Sequence, residues 1–130
     1  MKKLLLIISS LIIASFSFSQ TQQEMNADAA KSLEKKDKEL NEVYKKILVK
    51  YKEDTLFIKN LKIAQRLWVQ FRDAQMDMKY PEREPGYYGT IQPLCWYSYK
   101  EELTDDRITV LKEWIDGLEE HGCDGSVQSD

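Results

Sequence analysis

Histidine is almost missing from this chain, and cysteine, proline and glycine are scarce. The single His, His121, sits beside Gly122 near the C-terminus. Two Cys and one His cannot supply the four ligands of a structural zinc site. A Ser-His-Asp or Cys-His centre would have to be built on His121, in a segment that reads as a polar tail. Three Pro and five Gly exclude collagen-like and low-complexity chains. With 130 residues the chain is one domain at most, too short for a dinucleotide-binding enzyme with a substrate domain. No catalytic, metal-binding or cofactor-binding residue is expected, and an enzyme is the least favoured class.

What is present begins with an export signal. Lys2 and Lys3 precede an apolar run from Leu4 to Ile13, broken only by Ser9 and Ser10. Ser17-Phe18-Ser19 has the small-x-small form of a signal peptidase site. The apolar run is shorter than the ~20 residues of a membrane span. Residues 1–19 are therefore expected to be a cleaved signal peptide, residues 20–121 the helical domain and residues 122–130 a flexible polar tail. Cleavage removes two Lys and no acid, taking the net charge from −3 to −5. An acidic exported protein favours a basic protein partner and disfavours nucleic acid and anionic membranes.

The helices follow from periodicity. Thr21-Gln22-Gln23-Glu24 fits a capping box. Leu33, Asp37, Leu40, Tyr44, Ile47 and Tyr51 recur at steps of four and three, one stripe of a helix. Asp54 or Thr55 caps a second helix, whose stripe is Phe57, Leu61, Ala64, Trp68, Phe71, Gln75 and Met78. Residues 80–93 hold all three prolines and two glycines and read as a loop. Pro93 suits the first turn of a third helix, striped by Trp96, Tyr99, Leu103, Arg107, Val110 and Trp114. The expected fold is all-α: an antiparallel hairpin and a third long helix, over residues 22–51, 55–79 and 93–118, in a three-helix bundle.

A short connection makes the first two helices neighbours, with facing residue numbers summing to about 105, twice the number at the turn. Leu40 then meets Ala64, Leu33 meets Phe71, and Asp37, Asn41, Gln65 and Arg66 share one level. A third helix running back brings Arg107 to that level too. This predicts a polar layer across the bundle, with Arg107 in salt-bridge reach of Asp37, because a buried ion must be paired. It serves either as a structural ion pair or as a ligand site between helices.

The same residues carry a resemblance. Glu24-Met25-Asn26-Ala27 with Asp37-Lys38-Glu39-Leu40-Asn41-Glu42-Val43-Tyr44, then Leu61-Lys62-Ile63-Ala64-Gln65-Arg66-Leu67-Trp68-Val69-Gln70-Phe71-Arg72-Asp73-Ala74, and finally Cys95, Leu103-Thr104-Asp105-Asp106-Arg107 and Leu111, resemble the LprI-type lysozyme inhibitor domain. The resemblance spans about Gln22 to Leu111 and implies a small exported helical domain of bacteria that inhibits lysozyme. Family members commonly carry Cys where this chain has Asp28 and Met76. The resemblance implies that a helix-to-helix disulfide has been lost here as a pair, together with ~2–4 kcal/mol of crosslink stabilisation.

Trp68, Phe71 and Trp114 read as core. Arg72 is placed to reach Glu34 or Asp37 on the first helix. Glu101, Glu102, Asp105 and Asp106 read as a solvated acidic face, and His121 as exposed and idle. Cys95 and Cys123 are expected to remain unpaired, with Cys95 partly buried, because a long helix separates them. The 80–92 loop presents Tyr80, Tyr87 and Tyr88 with Arg83 between two Glu, residue types enriched at interface hot spots. Three functions compete: an inhibitor binding a basic lysozyme-type protein through that loop, a cell-envelope binding module for a small ligand or peptide in the polar layer, and, last, an enzyme.

Overall fold

The structure, a computed structural model, describes residues 2–118 and 122–128, with side chains described from Thr21 onward. His121 lies outside the described residues. Helix α1 runs Lys2–Lys50, α2 Thr55–Lys79 and α3 Gln92–Asp116. The described residues contain no strand. The second and third helices begin and end as local chemistry dictates. Asp54 caps α2, its carboxylate accepting from the Phe57 N–H at 2.9 Å. Pro at the first turn of α3 costs no hydrogen bond, since that N–H has no helical partner. Gly117, at φ 81°, closes α3 in a conformation that a side chain would resist. Helix α1 is continuous through the apolar run Leu4 to Ile13. Among the described residues no helix is long and apolar enough to cross a membrane.

Cross-helix bonds set the directions. Ser32 donates to Glu101, Lys36 to Asp105 and Lys112 to Glu39, so residue numbers rise together and α1 runs parallel to α3. Along α2 and α3 they run oppositely: Gln75 meets Tyr99 and Arg107 meets Gln65. Arg72 meets Asp37, making α2 antiparallel to α1 as well. This is the expected three-helix arrangement, but its closest pair is α1 with α3, not the α1–α2 hairpin.

The core follows that pair. Leu40, Val43 and Ile47 of α1 and Tyr51 just after it pack with Ile108 and Leu111 of α3, and α2 adds Leu61. Helix α3 carries two faces. The stripe from Trp96 to Trp114 is turned to α2, where Tyr99, Arg107 and Trp114 meet Gln75, Gln65 and Phe57. A second stripe, Thr104, Ile108 and Leu111, is the fully buried one. A middle helix must bury two sides, and a single stripe describes only one of them.

Several expectations are corrected here. Phe71 is 63% exposed and is not core, while Trp68 and Trp114 are half-buried. One acid of α3 leaves the solvated face, because Glu101 turns to α1 and accepts from Ser32, while Asp105 stays exposed as it pairs with Lys36. Cys95 and Cys123 are free thiols, but Cys95 is exposed rather than partly buried. Met76 is buried and Asp28 is exposed. The tail touches the bundle at two points: the Trp114 indole donates to Ser126 at 3.1 Å, and the Gln128 N–H donates to the Tyr51 hydroxyl at 2.9 Å.

Candidate functional site

A polar node joins the helices, and its central cation is Arg72. One Arg72 N–H group donates to Asp37 at 3.0 Å and to the Thr104 hydroxyl at 3.2 Å, joining all three helices. Thr104 is fully buried and passes its own hydrogen to the Lys100 carbonyl at 2.8 Å. The guanidinium also lies 5.1 Å from the Trp68 ring centroid. The Arg72 side chain spans from α2 to Asp37 on α1, the pairing that charge and reach predict.

Arg107 therefore does not reach Asp37. Its Nε donates to the Gln65 carbonyl oxygen at 3.0 Å, and its guanidinium lies 5.8 Å from the Trp68 ring. Burial pushes the group below its usual value, though an arginine stays charged throughout the working pH range. The expected layer is split between two clefts. Asp37, Asn41, Gln65 and Arg66 line a cleft of about 470 Å³ between α1 and α2, together with Lys62 and Arg72. Arg107 lines a second cleft between α2 and α3.

The loop after α2 is built on its own aromatics. Tyr88 donates to the Pro81 carbonyl at 2.8 Å and packs edge-on against both Tyr80 and Tyr87. Burial raises the Tyr80 phenol above its ordinary value. Gly86, at φ 85°, lets the chain turn back at the tip. Tyr80 and Tyr88 are thus half-buried and order the loop, while Tyr87 is 67% exposed with the Arg83 guanidinium 5.7 Å from its ring. Of the four loop residues singled out, two are scaffold and two, Arg83 and Tyr87, face solvent. Glu82 and Glu84 are exposed on either side of Arg83.

Arg72 as the centre of the layer was legible only as a residue that could reach Asp37. Its position on α2 beside the Trp68 stripe was the available signal. Among the described residues no cluster of His, Cys, Asp and Glu is placed to hold a metal ion.

The family model described as "Lysozyme inhibitor LprI" matches residues 16–111. That span takes in Asp37, Asn41, Gln65, Arg66, Arg72, Arg107 and the whole 80–92 loop. Comparison with curated proteins and with solved structures finds no match. The family match covers most of the all-helical domain, and with it both the three-helix polar node and the tyrosine loop, so the chain belongs to the LprI lysozyme inhibitor family.

Proposed function

We propose that this protein is exported, after cleavage near Ser19, and inhibits a cationic lysozyme-type glycan hydrolase through the 80–92 loop. The observation that carries the reading is the family match across most of the helical domain. The loop supports it, since Tyr87 and Arg83 stand out on a segment whose other tyrosines hold it in shape. A pre-ordered loop loses little entropy on binding. The flanking Glu82 and Glu84 suit a basic target, and the acidic net charge of −3, or −5 without residues 1–19, speeds encounter with it. The inhibitor works by covering or entering the glycan cleft and needs no catalytic group of its own.

The test is a lysozyme activity assay with the purified protein across a salt series. Inhibition is expected at micromolar protein, weakening as salt rises. Tyr87→Ala is expected to weaken inhibition about tenfold, the cost of one interface hot spot, with little change in melting temperature. Absence of inhibition at low salt overturns the reading. A cell-envelope module for a small ligand or peptide is the second reading, favoured by the cleft of about 470 Å³ that Asp37, Asn41, Gln65 and Arg66 line. Small-ligand binding abolished by Asn41→Leu, in a protein that leaves lysozyme untouched, would establish it.

A further inference from the structure

The cleft between the first half of α2 and the second half of α3 has no part in the inhibitor reading. It encloses about 420 Å³, within the range of small-molecule sites. Leu61 and Leu111 form its floor at 7% and 1% exposure, and Phe57, Ala64 and Trp114 stand beside them. Water filling a cleft so lined gains little, and an apolar chain displaces it favourably.

One end of the cleft is charged. Arg107 borders it, and its described partners are the Gln65 side chain and the Trp68 ring, with no carboxylate in salt-bridge range among the described residues. A guanidinium carries five N–H donors, and among the described residues only the one on Nε finds an acceptor. Arg72, one layer away, contrasts with it, being held by both Asp37 and Thr104. Burial pushes the Arg107 guanidinium below its usual value, so a half-desolvated cation waits without a counter-ion. The far end carries Asp54, which disfavours a second anion there and so orients a ligand with one charged head. Ten residues of α2 separate Asp54 from Ala64, about 15 Å of helix. Trp114 and Ser126 at the rim lie beyond residue 111, outside the stretch matched to the family.

The geometry points to a binding site for a medium-chain apolar carboxylate, with its head group on Arg107 and its chain along Leu61, Leu111 and Trp114. The match is of charge and shape together: a cation without a carboxylate partner among the described residues, an apolar trough and an acid at the opposite end.

Calorimetric titration of the purified protein with decanoate and with decanol, a neutral chain of equal length, tests this. Decanoate is expected to bind at least tenfold more tightly than decanol. Arg107→Met should bring decanoate down to the decanol level and leave decanol unchanged. Ala64→Phe keeps the cation but narrows the trough, and should weaken both ligands at least tenfold while helicity is retained. Methyl resonances of Leu61 and Leu111 should shift on titration in the unaltered protein. Equal affinity for the two probes, unaltered decanoate binding in either folded variant, or no binding up to about 1 mM overturns the proposal. So do shifts confined to Ile63, Leu67 and Phe71 on the outer face of α2, a result that holds whether or not Arg107→Met folds.

Discussion

Helices α1 and α3 touch along a deeply buried parallel seam, whereas α2 packs Phe57, Ile58, Leu61 and Trp68 against it, adds polar contacts and leaves much of its apolar surface in water. Ile47, Ile108 and Leu111 on the seam are at most 1% exposed. On α2, only Leu61 and Met76 are buried, and Leu67, Phe71 and Met78 are more than half exposed. The seam is stabilised by burial, at about 25 cal/mol per Å² of apolar area. The second helix is placed by Arg72, Gln65 and Gln75, groups that define register more than they add stability. Deep burial and open clefts are thus divided, with the first on the seam and the two clefts along α2.

The largest effect should come from the seam. Ile108→Ala removes a fully buried side chain and is expected to cost about 2–5 kcal/mol in denaturant unfolding. A cost below about 1 kcal/mol would mean that the seam does not carry the core.

Next comes the polar node. Arg72→Met removes the donor that joins Asp37 and Thr104 and is expected to cost about 1–2 kcal/mol. The upper end of the buried-pair range does not apply, because the Asp37 side chain is 43% exposed and water can solvate it. If the amide protons of α2 then exchange faster while those around Ile47 and Ile108 do not, α2 opens separately from the seam.

Smaller still is the rim of the seam. The Lys112 ammonium, helped by Lys36, holds the Glu39 carboxyl below its usual range. A depressed folded-state value means that this pairing adds stability above the unfolded value of about 4.3 and loses it as pH falls through the folded one. Glu39→Gln should cost about 0.5 kcal/mol near neutral pH, flatten the loss on acidification and matter less in high salt.

The smallest effect should fall on the outer face of α2. Phe71→Ala is expected to change stability by no more than about 0.5 kcal/mol, since its ring is 63% exposed and Ala favours the helix. A loss above about 2 kcal/mol would place Phe71 in a packed interface and undo the contrast between α2 and the seam.

Helix placement was legible because its signals are local. Asp54, the Pro81–Pro93 stretch and Gly117 mark the ends observed for α2 and α3 within a few residues. The Arg72 link to Asp37 was legible too, from charge and reach. The depth of each stripe was not. Phe71 fits the helical period as well as Trp68 does, yet only a neighbour's position decides which of them is covered. Within the loop, composition marked all of Tyr80, Arg83, Tyr87 and Tyr88, but could not separate the two that pack inward from the two that face out.

The sequence by itself determined three helices, the ends of the second and third, the acidic balance and the family, whereas the Thr21 capping box does not start α1, which runs on from Lys2. Those properties depend on neighbours a few residues apart or on sums over the chain. Tertiary structure alone decided that α1 and α3 form the tight pair, that Arg72 takes the place expected for Arg107, and that Arg107 faces a cleft. A helix with apolar residues on two sides can dock on either. The choice rests on a rotation of about 100° per residue, set by how all three helices pack at once.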